Sequence, residues 1–195
     1  AIQAAGKYSF VSCSDEAVEN GIVTLEDYPI VDYILGLEKE DPIAKAYYKT
    51  FSSPMQRLIT SYCQSGGHLF VSGAYVGSDM SGTQGNREFT EKILKYGYQG
   101  SLTDKSSNQI KGLGRTITIP RLPNESSYAV PAADCIVPVD TAFPVFTYAP
   151  GNQSAGIAYK GNYRTFVLGF PFESIQSEAD RATIMAGILG FFTQK

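Results

Sequence analysis

The residues that could do chemistry in this chain mostly follow short apolar segments that are typical of buried strands. Ligands of open α/β sheets bind at the carboxyl ends of the strands, so we expect a site where those segments end. The single histidine, His68, opens its apolar segment instead of closing it, so any histidine-dependent catalysis rests on one poorly placed residue. The polar stretches that follow the predicted strands are Cys13–Glu16, Gly36–Glu38, Ala74–Asp79 and Pro171–Ser174.

One of these strand ends has the spacing of a nucleophile elbow. Gly73-Ala74-Tyr75-Val76-Gly77 follows the apolar segment that starts at His68, and such a turn lifts its central side chain out of the sheet. The central residue is Tyr75, a phenol with a pKa of about 10, which is a poor nucleophile without a strong local base. A phenolate can act as a base, with Glu173, Asp79 or Ser72 as candidate partners.

Carboxylates are the most numerous candidates, and we expect five of them to gather at one edge of the sheet. A carboxyl pair about 5–9 Å apart in a cleft would favour glycoside hydrolysis, and a tighter cluster would favour a hard cation. The alternative is that two of them cap a turn and a helix while the rest are solvated. The five are Asp15, Glu16, Glu38, Asp79 and Glu173, of which we assign binding roles to Asp15, Glu16 and Glu38.

Composition excludes several classes of protein. The 195 residues include 16 basic and 19 acidic side chains, a net charge of -3 that argues against a dedicated nucleic-acid binder. No apolar run approaches the ~18 residues of a membrane span. One histidine, with neither a P-loop nor a dinucleotide fingerprint, predicts no metal and no cofactor. Thirteen tyrosines and eleven phenylalanines would suit either a sugar-stacking platform or a core.

The three cysteines cannot all pair with one another. Cys63 lies on the apolar face of a predicted helix, which favours a buried, inert thiol. A Cys13–Cys135 disulfide is compatible with the remaining count, but nothing in the spacing supports it.

The elements that would position these residues suggest a layered α/β fold. A helix capped by Ser53, with Pro54 at its first position, ends at Gly66-Gly67, and the apolar strand 68–73 follows it directly, which makes one αβ unit. Residues 100–165 are rich in Ser, Asn, Gly and Pro with short strands, which predicts a β-rich insertion over the sheet. We therefore predict a three-layer, mostly parallel, doubly wound sheet with an insertion near 100–165.

Three segments carry a family resemblance that spans most of the chain. Val31–Gly36, Gly66–Gly77 and Leu168–Ser174 resemble the strand-end motifs of the class I glutamine amidotransferase-like fold, which is flavodoxin-like. More narrowly, they resemble a domain of large secreted bacterial proteins that carry the label xanthan lyase. The resemblance implies a polysaccharide context and a secreted, periplasmic or cell-surface location.

The resemblance also argues against the family's own reaction. Tyr75 stands where the family has its nucleophilic cysteine, and Pro171 stands where it has the histidine base. Only Glu173 matches the acidic position. Without a thiol and an imidazole at these places, glutamine hydrolysis has neither nucleophile nor proton shuttle, so we predict that the chain is not a glutaminase.

The same resemblance implies that residues 1–195 are a single domain that lacks part of the family's fold. Residues 1–5 would be the end of the first helix and residues 8–12 the second strand. The first strand and most of the first helix would then come from an upstream segment of the same precursor. Other segments or domains of that precursor are accordingly the expected partners.

These observations leave three functional hypotheses. The leading one is a non-catalytic module of a secreted, carbohydrate-associated multidomain protein, with polysaccharide as a further partner. The alternative is a polysaccharide lyase or hydrolase that uses Tyr75, Glu173, Asp79 and Ser72. The third is a subunit-interface domain, which predicts an exposed apolar patch of several hundred Å².

Overall fold

The computed structural model describes residues 1–6, 8–45, 48–102 and 108–194. The helices are α1 (Ile2–Ala5), α2 (Asp15–Glu19), α3 (Ser53–Gln64), α4 (Gln84–Phe89) and α5 (Glu178–Thr193). The strands are β1 (Ile30–Gly36), β2 (His68–Gly73), β3 (Tyr96–Leu102), β4 (Gln109–Gly112), β5 (Arg115–Thr118), β6 (Ala133–Pro138), β7 (Phe143–Ala149), β8 (Ser154–Lys160) and β9 (Arg164–Leu168).

The main sheet is mixed, and the prediction of a three-layer, mostly parallel, doubly wound fold is wrong. Its seven strands follow the order β1-β2-β9-β8-β7-β4-β5 and curl into a half-barrel. Only the β1–β2 and β2–β9 pairings are parallel, and all the pairings from β9 to β5 are antiparallel. Within the described residues, the helices longer than six residues are α3, α5 and α4 together with its π-helical continuation, Thr90–Leu94. The architecture is therefore β-rich and is neither flavodoxin-like nor Rossmann-like.

Short connections explain the antiparallel half. Gly161–Tyr163 join β8 to β9, and Leu113-Gly114, with φ of 47° and 71°, join β4 to β5 in a two-residue turn. Connections this short can link only antiparallel strands. Four strands of the region near 100–165, which was expected as an insertion over the sheet, therefore belong to the main sheet itself: β4, β5, β7 and β8. The β3 and β6 strands pair separately.

Two apolar cores cover opposite faces of the main sheet. On β2, Leu69 and Val71 pack on the α3 side, whereas Phe70 packs on the α5 side. This alternation is the two-residue period of a strand. Both long helices begin at a serine cap: the Ser52 hydroxyl accepts from Met55 N at 3.1 Å, and that of Ser177 from Asp180 N at 3.1 Å. The predicted cap of α3, Ser53, is instead the first residue of the helix. None of the helices in the described part of the chain is long and apolar enough to cross a membrane.

The first residues pass from one face of the sheet to the other. α1 contacts α5, and α2 contacts α3. Because those two helices lie on opposite faces, residues 8–13 must cross from one to the other. The strand predicted at residues 8–12 is absent: the segment has no regular secondary structure, and most of it is exposed.

Candidate functional site

The turn after β2 is closed by a buried carboxylate from the β6 strand. Asp134 is fully buried, and its Oδ2 accepts hydrogen bonds from Gly77 N at 2.8 Å and Ser78 N at 2.7 Å. The Ser78 hydroxyl also donates to Oδ2 at 3.0 Å, and the Ser101 hydroxyl donates to Oδ1 at 2.7 Å. Consecutive N–H groups of this kind form a cradle for an anion. Here the protein's own side chain occupies the cradle.

Burial and hydrogen bonding have opposite effects on the pKa of the Asp134 carboxyl. Burial raises its pKa, while the hydrogen bonds from Ser78, Ser101 and Gly77 act in the opposite direction. Each hydrogen bond to a charged group contributes about 1.5–3 kcal/mol. The four donors therefore tie β6 and β3 firmly to the turn after β2.

Tyr75 lies in this turn, half-buried against the apolar core on the α5 side. The ammonium group of Lys39 lies 4.7 Å from the centroid of its ring, a cation–π contact. Ser72 is fully buried in β2, and its hydroxyl has no hydrogen-bond partner among the described residues. The elbow therefore presents Tyr75 beside a cation, with Ser72 inaccessible beneath it.

Glu173 lies in the Phe172–Ser174 turn, where it accepts a hydrogen bond from the Tyr128 hydroxyl at 2.6 Å. Burial and the Glu173 carboxylate both raise the pKa of Tyr128. Gly36 adopts a left-handed φ of +53° beside this pair, and a Cβ there would lie 3.3 Å from Glu173 Oε1. Glycine therefore leaves room for the Tyr128–Glu173 pair at the end of β1.

Asp32 is a second carboxyl on the Glu173 side, and no sequence motif marks it. Its Oδ1 atom is buried and has no hydrogen-bond partner among the described residues. Burial, and then repulsion from Glu173, raise the pKa of Asp32 to about 7. It interrupts the apolar run of β1, where it occupies the register position of Phe70 in β2.

Asp79 holds together the loops that follow β1 and β2. Its two carboxylate oxygens accept from Glu40 N at 3.1 Å and from Thr50 N at 3.0 Å. The nearly buried Lys49 ammonium lies 3.4 Å from Asp79 Oδ1 and 3.0 Å from Glu40 Oε2. Asp79, Lys49 and Glu40 line a polar cavity of about 410 Å³ together with Ser53, Ser78, Gly82, Thr83 and Asn86.

The five predicted carboxylates form two groups and do not meet at one point. Burial, followed by repulsion from Asp15, Glu16 and then Asp79, raises the pKa of Glu38 to about 7. Asp15, Glu38 and Glu16 also act on Tyr33, which packs on the α3 side, and Asp79 acts on Glu38. Glu173 instead acts on Asp32, on the α5 side. No group of three or more His, Cys, Asp or Glu in the described ranges is arranged to hold a metal ion.

The histidine and the cysteines lie away from the elbow. His68 opens β2 at the end opposite Tyr75, and its ring stacks on Phe192 with the centroids 5.8 Å apart. Cys13 is exposed, Cys63 and Cys135 are buried, and all three are free thiols.

Comparisons with known proteins bear on the fold alone. No family model matches the chain, and a search of curated proteins finds no match either. Among solved structures, the chain is similar to a β-galactosidase from Bacillus circulans sp. alkalophilus, with a TM-score of 0.50 and 12% identity. The match covers 87% of this chain and 23% of that enzyme, so the chain spans less than a quarter of its length.

Proposed function

We propose that the chain is a non-catalytic structural or binding module of a larger, secreted, carbohydrate-associated protein. The observation that carries the proposal is the Asp134 carboxylate in the turn after β2. An elbow that stabilises a developing oxyanion needs N–H groups that are free to receive it. The amides of Gly77 and Ser78 already donate to Asp134.

The residue types at the strand ends support the same proposal. The resemblance to amidotransferase-like domains places Tyr75 and Pro171 where that family has its thiol and imidazole. The secreted location and the polysaccharide context rest on this resemblance alone. Assignment to the amidotransferase-like family likewise remains a proposal.

Two assays test the module directly. Ammonia release from glutamine is expected to equal that of a buffer blank, and xanthan incubated with the protein is expected to keep its viscosity. A glycan array on the same preparation tests the binding role, with bound polysaccharide as the expected signal. Turnover of glutamine above the blank would refute the non-catalytic proposal.

A second candidate is a polysaccharide lyase or hydrolase at the elbow, and one contact favours it. Lys39 lies over the Tyr75 ring, and this contact places a cation beside the phenol that would act as the base of an elimination. This candidate takes Glu173, Asp79 or Ser72 as the partner of Tyr75. Of these, Ser72 is fully buried, and Asp79 is bound to the backbone of Glu40 and Thr50.

Tyr75→Phe separates the two functions, because it removes the hydroxyl but keeps the ring that Lys39 contacts. The enzyme candidate predicts xanthan cleavage that Tyr75→Phe abolishes. The module predicts no cleavage by either protein. Tyr48→Phe is the matched control, since Tyr48 is exposed and lies outside the elbow.

A further inference from the structure

We propose that the groove between α3 and α4 is a binding site for a neutral, hydroxyl-rich ligand, namely a short stretch of an uncharged carbohydrate chain. The groove consists of the 410 Å³ cavity beside Asp79 and of a second cavity of about 720 Å³, and Ser53 lines both. Small-molecule sites enclose about 300–1,000 Å³, so each cavity has a sufficient volume. The inference deepens the proposed function, on which it rests for the binding role, and locates that role outside the surroundings of Tyr75.

The charges that line the groove favour a ligand without a net charge. Three basic and three acidic side chains line the two cavities. The Lys49 ammonium lies 3.0 Å from Glu40 Oε2 and 3.4 Å from Asp79 Oδ1. That of Lys92 lies 2.9 Å from Glu88 Oε2. An anionic ligand would have to compete with these carboxylates for the two ammonium groups, and a neutral ligand would not.

The uncharged lining is mostly polar, which indicates that the ligand is polar too. Nine of the side chains that line the two cavities are hydroxyls or amides. Five of them lie along α3 in two rows with a spacing of four residues, which places each row on one side of the helix. One row contains Gln56, Thr60 and Gln64, and the next contains Ser61 and Ser65. Hydroxyls and amides can both donate and accept hydrogen bonds, as the hydroxyls of a sugar do.

Two half-buried amides connect the cavities, and each has one group free. Gln56 lines the larger cavity and Asn86 the smaller one. Gln56 Nε2 donates to the Phe51 carbonyl at 2.9 Å and to Asn86 Oδ1 at 3.1 Å, which ties α3 to α4. Among the described residues, neither Gln56 Oε1 nor Asn86 Nδ2 has a hydrogen-bond partner. A fixed acceptor next to a fixed donor suits two neighbouring hydroxyls, and a ligand loses little affinity in ordering them.

The α4 side of the groove adds an independent observation. After Phe89 the helix continues as the π-helical turn Thr90–Leu94, and π-helical turns are rare and frequently lie at functional sites. Phe89 and Ile93 line the larger cavity and give it an apolar part. A sugar ring carries C–H groups as well as hydroxyls, so a lining that is partly apolar and mainly polar matches its surface.

An NMR titration of the isotope-labelled protein tests the proposal. The neutral probes are cellotetraose, maltotetraose and mannotetraose, and the charged ones are inorganic phosphate and tetragalacturonate. We expect at least one neutral probe to shift the side-chain amide signals of Gln56 and Asn86 in a saturable way, with a Kd of about 1 mM or below. Saturable shifts of these signals by a charged probe alone would overturn the proposal. So would the absence of such shifts with all three neutral probes at about 10 mM.

A substitution pair gives a second readout. Asn86→Ala removes the free Nδ2 donor and the acceptor that orients Gln56, so the tetrasaccharide that binds should bind at least about tenfold more weakly. Asn124→Ala is the matched control, because Asn124 Oδ1 accepts from Ser126 N at 2.9 Å and the residue is exposed outside the groove. Equal affinities of the two variants would contradict a site in the groove.

The titration also separates a failure of this inference from a failure of the proposed function. Saturable shifts around Tyr75, without shifts at Gln56 and Asn86, would overturn the groove as the site and leave the binding role intact. No shift anywhere, together with a blank glycan array, would overturn both. Turnover of glutamine would refute the non-catalytic module, whereas the signals of Gln56 and Asn86 would still report on the groove.

Discussion

The turn after β2 and the outer edge of β1 are neighbours, joined where Ala74 N donates to the Gly36 carbonyl at 2.9 Å. In the turn, the amides of Gly77 and Ser78 and the hydroxyls of Ser78 and Ser101 all meet the Asp134 carboxylate. At the edge, the backbone of β1 and the buried oxygen of Asp32 lack such partners among the described residues.

This difference indicates where the chain can interact with something else. Polar groups already paired inside the protein gain little from a ligand, whereas each unpaired group gains a net contribution of about 0.5–1.5 kcal/mol from a new hydrogen bond. The elbow, which sequence spacing marks as the candidate active site, is the paired region. The edge of β1, which no motif marks, is the unpaired one.

The largest effect on stability should come from removing the Asp134 carboxylate that the turn after β2 binds. Asp134→Ala leaves the buried Gly77 amide and its neighbours without an acceptor, and we expect a loss of about 3–5 kcal/mol in the free energy of unfolding. Urea denaturation measures it, with Asp27→Ala, an exposed position in the Leu25–Asp27 turn, as the control. A loss below about 1 kcal/mol from Asp134→Ala would mean that the cradle is not held by this carboxylate.

An intermediate effect is expected at Asp32, and it depends on pH. The folded-state pKa of about 7 lies above the unfolded value of about 4, so the folded state holds the proton more tightly. The stability that this proton confers is present below pH 4 and is lost as the pH rises towards 7. Asp32→Asn should therefore be more stable than the wild type at pH 8, by about 2 kcal/mol.

Denaturation at pH 4 and pH 8 measures this dependence. Glu38 titrates in the same range, so Glu38→Gln is the matched control and removes the other part of the slope. A wild-type stability that rises between pH 4 and pH 7, or an Asp32→Asn slope identical to that of the wild type, would contradict the assignment.

The smallest effect should come from Tyr128→Phe at the end of β1. The substitution removes the hydroxyl that donates to the exposed Glu173, and we expect a change of less than about 1 kcal/mol in the free energy of unfolding. Thermal unfolding at pH 7 measures it. A loss above about 2 kcal/mol would show that this pair does more than fill the space beside Gly36.

Part of the fold is readable from the sequence. The apolar run from His68 and the helix that ends near Gly66 are β2 and α3, and the periodic apolar residues after Ser177 form α5. Strand direction is not readable in the same way. A buried antiparallel strand such as β8 has the same apolar composition as a parallel one, and Leu113-Gly114 is not among the common hairpin turn sequences.

The candidate site, too, can be predicted from the sequence only in part. Tyr75 is located by the spacing of two glycines, a local signal that survives folding. Asp134 is 57 residues away from Gly77, in a region without a motif, and it reaches the turn through tertiary contacts such as the bond from its own N–H to the Gly169 carbonyl at 2.7 Å. The special environment of Asp32 cannot be predicted from the sequence. Only the structure shows that its Oδ1 atom is buried without a hydrogen-bond partner among the described residues.

Hydrogen exchange on residues 1–195 alone tests the contrast most directly, because both regions are read in one experiment. We predict that the amides of Gly77 and Ser78, held by Asp134, exchange at least about a hundredfold more slowly than those of Asp32 and Ile34 at the edge of β1. Free exchange at Gly77 and Ser78, with protection at Asp32 and Ile34, would contradict the account.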